Sequence, residues 1–517
     1  MSAPLRIAVI VANDVSSDSR VIKTAASARR MGADVMIVGT STTSRRDDSM
    51  IGDIPVVRVP ISPSGTRGRR IVSRSDGRWL IRPLAPLAFG SSANYGRAAD
   101  ARTERRRRTR ERIERIKHDL ASRTSRGSRA VSWARLQFER SRALVLDGWF
   151  VVRRRAHVRP PIAIGGVDRR GELELLLSEQ LPFVAGYVNE MVPVLWEFEP
   201  DLIHAHDIFM AAVGTTYARR AGAAGRRVRW IYDAHEWVAG LRAERAIPKT
   251  VAADGLERLV APAADGVLTV GEALAGELVA GLGLADRPTV VLNAPPEWRD
   301  RRADAGQLRS TFALGDAPVL VYPGVVKPKR GLDTVVAALT ALADVHLVLL
   351  ADVSSQHVAD LVAEARRLGV DDRVHVHPYV PPDRIAPFIS DATAGIYPLT
   401  HYPNAEIAVP TKLLEYVQAG LPVVVSDTRE MAEFVHRHGI GEVFVSGDAD
   451  DFAVAARQVI ADRWQYVARY SADLMRELSW ERQEALLCAA YATALGRDDL
   501  VLADAPFLQL VETARSQ

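Results

Sequence analysis

Pro410-Thr411-Lys412-Leu413-Leu414-Glu415-Tyr416-Val417-Gln418-Ala419-Gly420-Leu421-Pro422-Val423-Val424-Val425-Ser426-Asp427 reads as a helix start, a glycine stop and a buried strand in quick succession. Thr411 is the expected N-cap, and Lys412, Leu413 and Leu414 would present free backbone N–H groups. Gly420 stands where a helix ends before the β-branched run Val423 to Val425. Free N–H groups at the positive end of a helix dipole suit a diphosphate. Glu415, one turn in, is placed to accept hydrogen bonds from ribose hydroxyls. An ordinary αβ unit with a surface glutamate has the same local pattern, so the neighbouring sequence has to decide between them.

Working outward, strands and amphipathic helices alternate over most of the chain. Between 5 and 61 the pattern predicts strands at 7–12, 35–38 and 56–59 and a helix at 19–31, with Gly32-Ala33-Asp34-Val35 as a helix stop running into a strand. Alternation resumes with helices at 178–197, 208–222, 251–261 and 272–282 and strands at 202–204, 228–232, 266–270 and 289–292. Pro295-Pro296-Glu297-Trp298 reads as a linker. A second unit opens at Pro318-Val319-Leu320-Val321-Tyr322, with further strands near 345–350, 373–377, 394–397 and 422–426. The expected class is α/β, with two Rossmann-like domains facing across a cleft at the carboxyl ends of their strands. Residues 62–175 break the pattern with Arg, Ser and Gly-rich sequence and read as a basic, helical or irregular insertion in the first domain.

At 517 residues and 48% hydrophobic content the chain is too long for one core, so two domains plus an insertion are expected. The single cysteine, Cys488, excludes an internal disulfide and falls in an apolar helical pattern, as a small core residue of a reducing compartment does. The strand-like opening Leu5 to Ala12 is not a secretory signal. The apolar stretches 143–152 and 181–198 are interrupted by Asp147 and by Asn189 and Glu190, so neither is expected to span a bilayer. The net charge of +4 is unevenly spread: 101–160 holds 19 Lys or Arg against 6 Asp or Glu, a local +13, which leaves −9 elsewhere. A concentrated basic block interleaved with Trp133, Phe138, Trp149 and Phe150 suits an anionic leaflet. The expected location is cytoplasmic, peripheral on the inner face of the membrane. The block contains no recognisable nucleic-acid module, and no specific nucleic acid is expected as a partner.

The 410–427 block resembles the signature of GT-B glycosyltransferases of family 4, a Pro-x-Lys-x-x-Glu-Tyr-x-x-x-Gly-x-Pro-Val string. The resemblance covers about 1–61 and 176–495. It implies a first domain over 1–297, a nucleotide-sugar domain over 298–478, and a segment 479–517 whose Ser479-Trp480-Glu481 opens a helix crossing back onto the first. A nucleoside diphosphate sugar is then the donor and a hydroxyl of a glycan, a lipid-linked glycan or a small molecule the acceptor, with retention of configuration and neither metal nor cofactor. Thr411, Lys412, Leu413, Leu414 and Glu415 would hold the nucleotide. The loop Gly324-Val325-Val326-Lys327-Pro328-Lys329-Arg330-Gly331 resembles the family's glycine loop, with Arg330 at the distal cation position. Two departures stand out. Val325 replaces the usual arginine, with Lys327 as its expected substitute. The sugar-contacting glutamate is expected eight positions before Glu415, where Ile407 stands, with Glu406 beside it.

His235, in Asp233-Ala234-His235-Glu236 at the end of a strand, is the preferred catalytic residue, since the family commonly keeps a histidine there facing the transferred sugar. The loop 13–20 lacks Gly-x-Gly-x-x-Gly, so Asn13, Asp14, Asp18 and Arg20 are expected at the acceptor together with His206, although Asp18 equally suits a helix cap. His204, His206, Asp207, His235 and Glu236 have metal-ligand chemistry, but their spacing fits no zinc motif and no cysteine joins them. The competing reading is a decayed GT-B scaffold that binds membrane or nucleic acid. Val325 and Ile407 favour it; Lys412, Glu415, Arg330 and His235 oppose it.

Overall fold

The computed structural model describes residues 4–16, 18–61, 169–298, 306–382 and 384–503. The basic block 101–160, with its interleaved aromatics, lies outside the described residues.

Two sheets carry the fold. The first is built from β1 (Arg6–Ile10), β2 (Asp34–Ser41), β3 (Asp47–Ile51), β4 (Ile54–Pro60), β5 (Leu202–His206), β6 (Arg229–Ala234), β7 (Gly266–Thr269) and β8 (Thr289–Val290), in the spatial order β3-β4-β2-β1-β5-β6-β7-β8. All its pairings are parallel except β3 with β4. The second comprises β9 (Val319–Pro323), β10 (His346–Leu350), β11 (Val374–His377), β12 (Ala394–Tyr397), β13 (Val423–Ser426) and β14 (Gly441–Phe444), all parallel, in the order β11-β10-β9-β12-β13-β14. Parallel strands need helical crossovers that cover both faces, which is why Val423, Val424 and Val425 are all fully buried. Leaving out the hairpin strand β3, both sheets turn back on themselves beside their first strand. The switch points, β1/β5 and β9/β12, are where a doubly wound fold opens a crevice. These are two Rossmann-like lobes.

At the second switch point the opening has a visible cause. β12 pairs with β9 only through Ala394↔Leu320 and Gly395↔Val321. Beyond that the Tyr416 hydroxyl lies 3.1 Å from Val321 O and 2.9 Å from Ile396 O, so one phenol bridges the diverging strands. Gly395 makes room for it: a Cβ there would sit 2.4 Å from the Tyr416 ring.

Several boundaries differ from the sequence reading. Thr411 is the first helical residue of Thr411–Ala419 and the N-cap is Pro410, because a proline, with no N–H, can flank the helix start without leaving a donor unpaired. Gly420 ends that helix at φ 69°. The strand expected at 228–232 runs on to Ala234, which carries Asp233 into the sheet. β3 and β14 were not foreseen, since Asp47–Ile51 is polar and largely exposed and Gly441–Phe444 shows no apolar run.

The helix Trp480–Leu495 supplies part of the first lobe's core. Trp480, Leu487, Cys488 and Tyr491 cluster there with Ile7, Val9, Ile37, Leu202 and Ile231, and Trp480 Nε1 donates to Ser27 Oγ at 3.0 Å. Both lobes fall in one compact unit; Ile61–Glu190 and Ala246–Leu259 form another. In the latter, Phe183 meets Tyr187 edge-on at 6.3 Å and Lys249 Nζ sits 5.1 Å above the Phe183 ring. Among the described residues no helix is long and apolar enough to cross a membrane.

Candidate active site

In the second lobe the expected residues gather at the carboxyl ends of β9 and β12. No side chain caps the Thr411–Ala419 helix, and the Leu413 and Leu414 side chains are buried in the core, so Leu413 and Leu414 can offer a ligand backbone groups only, while the half-buried Lys412 can also offer its ammonium. The Leu413 N–H, expected free, donates to Pro410 O at 3.0 Å. Glu415 is 4% exposed, and its Oε2 has no hydrogen-bond partner among the described residues. Burial raises the Glu415 carboxyl above its ordinary range, and the charges of Lys412 and Lys23 only partly oppose that. Gly324, at φ 154°, brings the glycine loop to the same place: a Cβ there would lie 3.0 Å from Lys412 Cε. Arg330 Nη1 donates to the Tyr397 hydroxyl at 2.7 Å, and Tyr397 stacks on Tyr322 at 5.9 Å, which fixes the guanidinium beside the loop. Lys327 is exposed, as is Val325. Glu406 is engaged: Oε1 lies 2.6 Å from His401 Nδ1 and Oε2 accepts the Arg429 N–H at 3.0 Å. Ile407 is buried.

In the first lobe the register pairs His206 with Asp233 across β5 and β6. Asp233 is completely buried and is the hub of the site. Its two oxygens accept from Arg20 Nε and Nη2, each at 2.8 Å, and Oδ2 also lies 3.1 Å from His204 Nε2, 3.2 Å from His206 Nδ1 and 3.2 Å from His235 Nε2. Burial alone would raise this carboxyl, but Arg20, His235 and the hydrogen bonds from His204 and His206 outweigh it and hold it well below the usual range. His204 Nδ1 meets the Tyr491 hydroxyl at 2.8 Å, tying the C-terminal helix to the network.

His235 is the member that faces outward. Its side chain is 20% exposed, and Nδ1 lies 3.5 Å from the Asp207 carboxylate. Burial would lower its pKa, yet Asp207 and Asp233 together push it up to about 9. His206 goes the other way, to about 3, through burial and the neighbouring His204; its Nε2 is buried without a partner among the described residues. Asp207 adopts φ 66°, a strained backbone for a residue with a Cβ, at the point where β5 gives way to a helix.

The acceptor-side expectations separate by position. Arg20 is 3% exposed and fully engaged, since besides Asp233 it donates from Nη1 to Val291 O at 2.8 Å; it supports the site from beneath. Asn13 is exposed and its amide donates to Asp18 Oδ2 at 2.7 Å, while Asp18 Oδ1 caps its helix by accepting the Val21 N–H at 3.2 Å. Asp14 Oδ1 accepts from Ser16 N and Oγ. His204, His206 and Asp233 bring potential metal-ligating atoms within 4.8 Å of one another. The set does not fit a resident cation: Arg20 already supplies the positive charge that Asp233 faces, on both its oxygens. Tyr491 and the Arg20–Asp233 contact could not be found by spacing, because they join segments hundreds of residues apart.

Residues 141–294 match the family described as Glycosyltransferase Family 4, and residues 317–462 match the family described as Glycosyl transferases group 1. The lipopolysaccharide core biosynthesis glycosyltransferase LpsE of Rhizobium meliloti (strain 1021) is 29% identical over 187 residues, 36% of this chain and 51% of that protein, so the match spans about half of the relative's length. Among solved structures, sucrose-phosphate synthase from Thermosynechococcus elongatus superposes with a TM-score of 0.55 at 13% identity, covering 95% of this chain and 97% of that one. An E. coli structure described as trehalose-6-phosphate, bound with UDP-2-fluoro glucose, gives 0.55 at 12% identity, covering 95% and 99%. At these identities the superpositions speak for the fold, and the two family matches fall one on each lobe. The chain is a GT-B protein built from glycosyltransferase family 4-type domains.

Proposed function

We propose that this protein is a glycosyltransferase that moves a sugar from a nucleoside diphosphate donor to an acceptor hydroxyl with retention of configuration. The observation that carries the reading is Glu415: a buried carboxylate with an unpartnered oxygen, one turn inside an uncapped helix mouth and beside a glycine loop. Leaving such an oxygen unpaired costs stability, and a ribose hydroxyl would supply the missing donor. The diphosphate would lie against the Thr411 and Lys412 amides, the Lys412 ammonium and Arg330, whose charges stabilise the departing phosphate. His235, charged at neutral pH, would donate to the transferred sugar, and Asn13, Asp14 and Asp18 would line the acceptor side with His206 behind them. The structural relative that holds UDP-2-fluoro glucose supports a nucleotide-sugar donor.

The engagement of Glu406 with His401 and Arg429 points to a sugar contact made without a free carboxylate at that position. The insertion would place the enzyme on an anionic membrane near a lipid-linked acceptor. The test is a binding and hydrolysis screen of the purified protein across UDP-, GDP- and ADP-sugars. One of these should bind and turn over. Binding without any turnover would favour the decayed-scaffold reading, and no binding at all would overturn the assignment.

A further inference from the structure

Lys23 is a buried cation that the chemistry proposed above does not use. It is 5% exposed on the helix Ser19–Arg30, and among the described residues no carboxylate lies within ion-pair distance of it. Its Nζ donates instead to Asn293 Oδ1 at 2.9 Å and to the Ala294 carbonyl, and it sits 4.6 Å above the Trp480 ring. These partners belong to the two passages of chain that join the lobes: the connection leaving β8, and the return into the helix Trp480–Leu495.

Around Lys23 the connection is stitched at nearly every residue. Arg20 donates to Val291 O, the Leu292 N–H donates to Gln483 Oε1 at 2.8 Å, and the Glu297 N–H donates to Glu481 Oε2 at 2.9 Å. The Trp480 N–H donates to Pro295 O at 2.8 Å. Lys23 reaches both passages at once from a third element, the helix Ser19–Arg30, whereas Gln483, which also bonds both, through Leu292 N and Glu477 O, itself belongs to the return. A buried ammonium is costly, and a hydrocarbon of the same length would fill the space more cheaply, so its retention points to the fixing of these carbonyls.

We propose that Lys23 is a positioning residue that pins the two interlobe passages together and thereby sets where Glu415 of the second lobe stands relative to His235 of the first. The groups whose charges reach it are Arg20 and Asp18 on its own side, Glu481 on the returning helix and Glu415 in the second lobe. Burial and Arg20 lower the ammonium to about 7, with the three carboxylates opposing, so the pin is poised to change charge near neutrality.

The decisive measurement is amide hydrogen exchange on the full chain without ligand, comparing wild type with Lys23→Met and Lys23→Arg. The Leu292, Glu297 and Trp480 amides should exchange at least about tenfold faster in Lys23→Met, with β1 and β9 amides unchanged and protection restored in Lys23→Arg. Unchanged exchange at 291–297, or acceleration spread equally through the first sheet, overturns the proposal. Should Lys23→Met fail to fold, Asn293→Ala removes one acceptor without burying anything and should move the same amides in the same direction; no change there overturns it.

A second arm rests on the glycosyltransferase reading: with whichever of UDP-, GDP- or ADP-glucose the wild type turns over, Lys23→Met should lower kcat about tenfold while nucleotide affinity stays within threefold, and Lys23→Arg should recover most of it. Equal loss of both would overturn the positioning role. If the wild type turns over none of these sugars the functional reading fails, and the exchange arm alone decides the pin.

Discussion

Arg20 and Asp233, 213 positions apart, meet in a two-pronged contact with both N···O distances at 2.8 Å and side-chain exposures of 3% and 0%. Because neither group reaches water, the pair is worth most when one partner is removed. Asp233→Asn should destabilise the protein by about 3–5 kcal/mol, since a guanidinium is then buried without its counter-charge. Urea denaturation measures this. A loss below about 1 kcal/mol would mean that the network relaxes around the change.

His235 sets a pH window. Its folded pKa, about 9, lies above the ordinary 6.5, so the folded state holds the proton more tightly. The resulting stabilisation is complete below pH 6.5 and is lost as pH rises through 9, with an upper size of about 3 kcal/mol. The stability difference between wild type and His235→Ala should therefore shrink across that interval, and a flat difference would contradict the carboxylate pairing. The same variant should abolish sugar transfer yet leave nucleotide affinity within a few fold, as read by calorimetry.

Glu415→Ala should weaken donor binding by roughly 10–100-fold, the size of a hydrogen bond to a charged group. It should leave the melting temperature level or higher, because an unpaired buried oxygen goes with it. A fall in stability together with unaltered donor affinity would show that the carboxylate serves the fold.

Gly331 combines φ 64° with a contact that forbids a side chain, since a Cβ would lie 1.9 Å from Pro398 O. Gly331→Ala should cost about 2–4 kcal/mol in stability, whereas Gly315→Ala, at φ 52° with open space around it, should cost only about 1. Arg330→Ala should leave the fold intact and raise the barrier to turnover by about 2–4 kcal/mol. Chemical denaturation of the glycine pair and steady-state kinetics of Arg330→Ala separate the two effects.

Liposome co-sedimentation tests the basic block. The full-length protein should bind anionic vesicles and a version lacking 101–160 should not, with each basic group near the surface contributing about 1 kcal/mol. Equal binding by both, or none by either, removes the membrane reading.

Strand positions and helix stops were legible because they follow local rules: β-branched runs read as buried parallel strands, and Gly420 reads as a left-handed stop. Hairpin strand β3 was not, because Asp47–Ile51 has too little apolar surface to mark a strand and forms only against β4. The cap was misplaced by one residue since Thr411 and Pro410 both suit a helix start, and only backbone geometry distinguishes them. In the site, strand-end histidines were visible as local strings. Their unequal roles were not, for what separates outward, charged His235 from buried, neutral His206 is the placement of Asp207, Asp233 and Arg20 around them.

Trp480, Leu487 and Tyr491 complete the core around β1, although the ribosome makes β1 first and these residues more than four hundred positions later. During synthesis the amino-terminal lobe must therefore wait, with part of its apolar interior open, while the whole second sheet emerges and folds. A nascent chain halted before Trp480 would be one finished lobe attached to one unfinished lobe, and that interval is when it has most need of a chaperone.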